Sequence, residues 1–97
     1  MQRSESHEPR VRRHLRIIGE VQGVSFRASL ADRARTFGVD GFARNLPDGT
    51  VDAVLEGPEG PVEELVEFCR HGPAMARVVD LRVETEAPVG VRGFAEG

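Results

Sequence analysis

The chain is poor in cysteine and has neither tryptophan nor tyrosine; Cys69 is its single cysteine and its aromatic residues are five phenylalanines. One cysteine excludes an internal disulfide and a paired-cysteine metal site. No apolar run is long enough to span a bilayer, and residues 1–11 lack the apolar segment of a secretory signal. We therefore expect a cytoplasmic protein that does not bind membranes.

Lysine is absent as well, so all 13 basic residues are arginine, and the net charge is −3 over 97 residues. This acidic balance argues against broad electrostatic binding of nucleic acid. The length allows one domain. Residues 1–11 have too little apolar surface to offset the conformational entropy lost on ordering. We therefore expect a flexible tail at 1–11 and a folded domain at 12–97.

Hydrophobic periodicity and turn signals predict the element order β-α-β-β-α-β. With right-handed crossovers this is a ferredoxin-like split βαβ fold of the α+β class, an antiparallel four-stranded sheet with two helices on one face. A short fifth edge strand is allowed for at the C-terminus. The predicted strands are Arg13–Gly19, Val39–Asn45, Thr50–Glu56, Ala76–Glu84 (with Val79, Leu81 and Val83 on one face) and the short Arg92–Ala95; the helices are Ser25–Phe37 and the segment whose buried stripe is Val62, Leu65, Val66 and Cys69.

The junction between the first strand and the first helix is a candidate anion site. Amide groups at a helix N-terminus lack intrahelical partners and can converge on an anion, aided by the helix dipole. Glycine permits the close approach that such a loop needs, although an ordinary strand-to-helix turn remains an alternative. The candidate phosphate-binding residues are Gly19, Glu20, Val21, Gln22, Gly23, Val24, Ser25 and Arg27.

Arg27 falls in the first turn of the predicted helix, where a cation faces the positive end of the helix dipole. That placement costs about 0.3–1 kcal/mol, and Leu30 and Ala31 provide no acidic partner three or four residues on. Its planar guanidinium suits bidentate phosphate binding. An exposed arginine with a small energetic penalty is the alternative.

The second candidate is Asn45, which ends the second predicted strand just before the turn Pro47-Asp48-Gly49. In isolation, an asparagine there indicates ordinary turn chemistry. Thr50 follows the turn and is the candidate for a supporting contact to Asn45.

Together the two stretches resemble the acylphosphatase family. Val21-Gln22-Gly23-Val24-x-Phe26-Arg27 is similar to its phosphate-loop signature, and Gly41-Phe42-x-Arg44-Asn45-x-x-Asp48-Gly49-x-Val51 is similar to its second signature. Glu56-Gly57 and Gly72-Pro73-x-x-Ala76-x-Val78 match later landmarks. The family more often has tryptophan where Phe42 stands. The resemblance covers roughly residues 13–83, and residues 89–97 match weakly.

The resemblance implies hydrolysis of acyl phosphates to a carboxylate and inorganic phosphate. We expect no metal or cofactor, because the sequence offers no plausible ligand cluster and the arginine and amides already neutralise the phosphate. The resemblance implies that the loop amides and Arg27 bind the phosphoryl group and that Asn45 orients the attacking water. Inorganic phosphate is then product and inhibitor, and we expect a monomer. A phosphate or carbamoyl-phosphate binding module of the same fold, without turnover, is the alternative.

Other readings of the residues are less favoured. An RNA-binding module of this fold needs aromatic residues on the sheet face, and Phe26, Phe37 and Phe68 are assigned to helices. The spacing of His7, His14 and His71 predicts no metal site. Cys69 is expected in the core rather than as a nucleophile, Asp48 in the turn rather than as a base, and Arg44 as a solvated strand residue.

Overall fold

The computed structural model of the protein describes residues 8–97. Two helices and five strands follow one another in the predicted order, and the fifth strand is the short C-terminal one that the sequence allowed for. The elements are β1 (Arg10–Glu20), α1 (Phe26–Phe37), β2 (Asp40–Asn45), β3 (Val51–Pro58), α2 (Glu59–Cys69), β4 (Arg77–Glu86) and β5 (Phe94–Glu96).

The strands form one sheet in the order β4-β1-β3-β2-β5. The first four strands pair antiparallel, which confirms the predicted sheet. The fifth strand begins at Phe94, later than expected, and pairs parallel to β2 with Phe94 opposite Gly41. The complete sheet is therefore mixed rather than purely antiparallel. This parallel pairing brings the C-terminal residues alongside the end of β2.

The predicted tail at 1–11 lies mostly outside the described residues, but its last two members belong to β1. Arg10 is paired with Pro58 on β3, and its guanidinium donates to the Asp40 carboxylate at 3.2 Å. Val11 packs against the hydrophobic core. Both contacts involve distant parts of the chain, so no local sequence pattern predicts them. The ordered chain therefore begins before residue 12.

Both helices pack on one face of the sheet, and the core lies between the two layers. Alternate residues of the central strands point into it, since side chains of a strand alternate between faces. Each helix contributes a stripe at the 3–4 residue spacing predicted for it. The core includes Leu15 and Ile17 of β1, Ala53 and Leu55 of β3, Phe26, Leu30 and Ala34 of α1, and Val62, Leu65, Val66 and Cys69 of α2.

A bulge changes which residues of β4 face the core. The pairing of β1 with β4 shifts between Ile18, opposite Asp80, and Gly19, opposite Val78, so Val79 has no partner on β1. An extra residue on one strand reverses the facing of those beyond it. Consequently Val78 and Leu81 pack against the core, whereas Val79 is 77% exposed. The predicted common face of Val79, Leu81 and Val83 is wrong.

The opposite face of the sheet carries a network of charges and is not covered by helices. Two of its carboxylates are buried all the same: Asp52 is 4% exposed and Glu56 0%. Arg12 donates to Glu56 at 3.0 Å and Arg44 to Asp52 at 3.2 Å. Long arginine side chains thus cover carboxylates on β3 that would otherwise face water.

Candidate active site

The loop between β1 and α1 presents backbone amides without acceptors. Gly23 (φ 75°) and Ser25 (φ 65°) both adopt the left-handed conformation, which is uncommon for a residue such as serine. Ser25 is the N-cap of α1, yet its side chain makes no capping hydrogen bond. Among the described residues, the amides of 22–28 donate to no protein acceptor. The loop therefore has donors available for an anion.

Arg27 lies on the first turn of α1, which contains no acidic residue. Its guanidinium donates from Nη1 to the carbonyl oxygen of Gly97, just after β5. The partner of Arg27 is thus a main-chain oxygen and not an Asp or Glu side chain. A phosphoryl group, whose oxygens match the guanidinium fork, offers more than this single contact.

Asn45 is the last residue of β2, and it is paired with Val51 on β3. Its side-chain oxygen Oδ1 is buried and has no hydrogen-bond partner among the described residues. A buried acceptor without a donor is unfavourable by about 1–3 kcal/mol. Such an atom calls for a ligand or a water molecule that donates to it.

A pocket of about 110 Å³ brings these groups together, and both Arg27 and Asn45 line it. The rest of the lining is Val21, Gly23, Ser25, Phe26, Ala28 and Glu96. The two residues predicted from separate motifs therefore meet in one cavity at the N-terminus of α1. Other predicted loop residues lie elsewhere: Gly19 and Glu20 end β1, and Val24 packs against the core.

The sequence predicts that Gln22 belongs to the loop whose amides bind phosphate, and its side chain is bound to the protein itself. Its side-chain Nε2 donates to the carbonyl oxygens of Leu46, at 2.8 Å, and Thr50, at 2.9 Å. Both acceptors belong to the turn that follows Asn45. The Gln22 side chain therefore joins the loop between β1 and α1 to the turn between β2 and β3. Only the backbone amide of Gln22 remains available for an anion.

Thr50 contacts the turn and not Asn45. Its hydroxyl and its amide both donate to Oδ1 of Asp48, at 2.6 Å and 3.0 Å. The hydroxyl bond is the main cause of a lowered pKa at Asp48, which is the turn former expected from the sequence. Thr50 supports the site through its carbonyl oxygen, which accepts from Gln22.

Arg44, next to Asn45, points toward the open face of the sheet. It donates from Nε to Oδ2 of Asp52, whose other oxygen accepts from His14 at 2.7 Å. The positive charge beside Asn45 is therefore balanced by a buried carboxylate. Arg44 is bound to protein rather than simply solvated.

The sequence-based interpretation missed the C-terminal contribution to the pocket. Glu96 lines the pocket, and the main-chain oxygen of Gly97 accepts a hydrogen bond from the Arg27 guanidinium. Neither residue belongs to a motif, and β5 is three residues long. The one available signal was the apolar Phe94, which is buried against the core.

Cys69 is confirmed as a core residue. It is fully buried on α2, and burial raises the pKa of its thiol to about 12. A thiol in that state is a poor nucleophile at neutral pH. Its position also lies on the helix stripe predicted from the sequence.

Comparison with known proteins identifies the family of the chain. The acylphosphatase family model matches residues 13–95. A relative named acylphosphatase from Thermococcus kodakarensis is 54% identical over 85 residues, which cover 88% of this chain and 93% of the relative. The chain belongs to the acylphosphatase family.

Solved structures of the same family have the same fold. An acylphosphatase from Coxiella burnetii superposes with a TM-score of 0.86 at 28% identity, covering 91% of this chain and 93% of that one. An acylphosphatase from Bacillus subtilis gives 0.85 at 28% identity, covering 90% and 98%. Within residues 8–97, neither helix is long and apolar enough to cross a membrane.

Proposed function

We propose that this chain hydrolyses the carboxyl–phosphate anhydride of acyl phosphates, releasing a carboxylate and inorganic phosphate. The observation that carries the proposal is the pocket in which Arg27, the unpaired loop amides and the unpartnered Oδ1 of Asn45 meet. Family membership supports the same reaction.

In this proposal, the phosphoryl group lies against the amides at the N-terminus of α1, where the helix dipole favours negative charge. Arg27 exchanges its bond to the Gly97 carbonyl for bonds to phosphate oxygens. The fork of its guanidinium matches two such oxygens. As the reaction proceeds, these donors stabilise charge on the equatorial oxygens of the transferring group.

The attacking water is held by Asn45. Its buried Oδ1 accepts a hydrogen bond from the water, which satisfies an atom that has no partner within residues 8–97. The water is thereby placed for an in-line approach to the phosphorus. A neutral amide suffices because the carboxylate is a good leaving group, so strong base catalysis is less necessary, and phosphoryl transfer depends chiefly on positioning and electrostatics.

We further propose that hydrolysis needs no metal ion. A resident Zn²⁺ in an enzyme takes about three histidine, cysteine or carboxylate ligands. Among the described residues that line the pocket, Glu96 is the one such group. The arginine and the amides supply the positive potential instead.

The alternative, a phosphate-binding module without turnover, is less well supported. Binding phosphate alone requires the amides and Arg27 but leaves Oδ1 of Asn45 buried and unused. A site built for hydrolysis uses that oxygen. We also propose that the protein acts as a monomer in the cytoplasm and that inorganic phosphate inhibits it competitively.

Turnover of benzoyl phosphate or acetyl phosphate by the purified protein tests the proposal, before and after exhaustive chelation. We expect hydrolysis in both cases, with inorganic phosphate as a competitive inhibitor. Arg92→Ala provides a control, because Arg92 is exposed and no ion pair holds it among the described residues. Phosphate binding with negligible hydrolysis would favour the binding module. Activity lost on chelation and restored by Mg²⁺ would overturn metal independence.

A further inference from the structure

Three metal-ligand side chains meet on the open face of the sheet, away from the pocket. His14 of β1 stands opposite Glu84 of β4, and Glu86 follows two residues along the same face of β4. Nδ1 of His14 lies 3.0 Å from Oε2 of Glu86. One ligand atom from each of the three residues falls within 4.8 Å of the others.

Among the described residues, no cation is paired with the Glu84 carboxylate. It has no hydrogen bond or ion pair with any other residue that the structure describes. Glu86 is held on its other oxygen by Arg12, at 2.8 Å, so one oxygen remains directed at His14. Two arginines line the same hollow as Glu84, and both are paired elsewhere. Arg82 is paired with Asp80 at 3.4 Å, and Arg16 is paired with Asp48 at 3.8 Å. A carboxylate without a partner therefore stands beside an imidazole and a fixed carboxylate.

A buried carboxylate orients the imidazole from its other side. Nε2 of His14 is 2.7 Å from Oδ1 of Asp52, which is 4% exposed. Asp52 is itself fixed by Arg44 at 3.2 Å. Histidines that bind metal almost always donate their second ring N–H to such a carboxylate, which fixes the ring and raises its basicity. This second contact is the supporting arrangement of a metal site, and exposed glutamates alone would not provide it.

We propose that His14, Glu84 and Glu86 bind one divalent transition-metal ion of the Zn²⁺ class. Zn–N and Zn–O bonds of about 2.0–2.2 Å place tetrahedral ligand atoms about 3.4 Å apart, close to the separation of His14 and Glu86. The ion takes the place of the hydrogen shared by those two groups. A nitrogen ligand with two carboxylates favours Zn²⁺, Co²⁺ or Ni²⁺ over Mg²⁺, and a water molecule completes the coordination.

The ligands were not evident in the sequence because they come from two strands about 70 residues apart in number, joined only by the pairing of β1 with β4. Histidine spacing alone predicts no metal site. None of the three residues lines the pocket that contains Arg27 and Asn45. Loss of the cation site is therefore expected to leave hydrolysis unchanged.

Calorimetric titration of the full chain with Zn²⁺ tests the proposal, with Co²⁺ absorption as a second readout. Glu84→Gln is the informative variant, since it removes a ligand but no hydrogen bond among the residues that the structure describes. Glu64→Gln is the matched control, because Glu64 is exposed on α2, which packs on the other face. We expect one Zn²⁺ per chain, and at least about tenfold weaker binding in Glu84→Gln, the size of effect seen when even a supporting residue is lost.

Asp52→Asn provides an independent check on the orienting carboxylate, with an expected loss of about 10- to 100-fold in Zn²⁺ affinity. At the same Zn²⁺ concentration, the ion is also expected to raise the melting temperature of the wild-type chain more than that of Glu84→Gln. Equal Zn²⁺ affinity in the wild type and Glu84→Gln would place the ion elsewhere and overturn the proposal. Absence of Zn²⁺ binding at millimolar concentration would overturn it as well.

Discussion

Arg27 on α1 donates a hydrogen bond to the carbonyl oxygen of Gly97, immediately after β5. The amide of Gly97 in turn donates to the carbonyl of Ala43 on β2, at 2.9 Å. The end of the sheet is therefore connected to the first turn of α1 through one arginine. In the proposed mechanism, substrate binding replaces this bond, which links the position of β5 to the occupancy of the site.

Arg27→Ala is expected to abolish most phosphate binding and turnover while the protein stays folded. Removal of a cation from the N-terminus of α1 gains at most about 1 kcal/mol, and loss of the bond to Gly97 costs about as much. The free energy of unfolding should therefore change by less than about 1 kcal/mol. Urea unfolding and the phosphate inhibition constant measure the two effects, with Arg92→Ala as the control. A variant that does not fold would make Arg27 a structural residue.

Gln22→Leu is expected to lower kcat about tenfold or more, because Asn45 loses the support of the turn beside it. The carbonyls of Leu46 and Thr50 keep one donor each, from Gly49 and Leu46. The stability loss should therefore stay near 1–3 kcal/mol. Inhibition by phosphate should change much less than kcat.

Val62→Ala in the core of α2 serves as the matched control for Gln22→Leu. Truncation of a buried valine also lowers stability by a few kcal/mol, but it leaves the turn in place. Equal losses of kcat in the two variants would mean that Gln22 acts through global stability alone.

Glu56 is expected to make the unfolding free energy depend on pH in the acid range. Burial alone would raise the pKa of Glu56, but hydrogen bonds from Arg12 and from the amides of Gly90 and Val89 together lower it below its ordinary value of 4.5. A carboxylate with a lowered folded-state pKa stabilises the fold above its unfolded pKa. That contribution is lost as the pH falls through the folded-state pKa.

Glu56→Gln should therefore lower the unfolding free energy at pH 7 by about 1–3 kcal/mol. Its stability should then fall less steeply than that of the wild type below about pH 4.5. Urea unfolding at a series of pH values measures both effects, with Glu64→Gln as the exposed control. Parallel pH curves for the wild type and Glu56→Gln would contradict the assignment.

The sequence was sufficient for the features that depend on local pattern. The helix stripes, the turn at Asp48 and the two motifs that contain Arg27 and Asn45 are set by residues close together in the chain. Val79 was misassigned because the bulge depends on how β1 meets β4. The burial of Asp52 and Glu56 could not be predicted either. The alternation along β3 places both side chains on the face without helices, but it does not show that arginine side chains cover them. The role of Gly97 depends on a three-residue strand that only pairing with β2 can define.

Asn45→Ala separates binding from chemistry in the proposed mechanism. If Asn45 holds the water, its loss should lower kcat by about 10²–10³, as when one preorganised polar group is removed from an active site. Phosphate affinity should change far less, because the loop amides and Arg27 remain. This pattern marks an interaction made chiefly in the transition state.

Stability gives Asn45→Ala a second readout. The substitution removes a buried Oδ1 that lacks a partner in the part of the chain that the structure describes. The folded state should therefore lose little stability or gain up to about 1 kcal/mol, since an unsatisfied acceptor is itself unfavourable. Steady-state kinetics, phosphate inhibition and urea unfolding of the same preparation measure kcat, phosphate affinity and stability. A kcat near that of the wild type would refute the role of Asn45. A parallel collapse of phosphate binding would instead make Asn45 a ligand of the anion and leave the water without a partner.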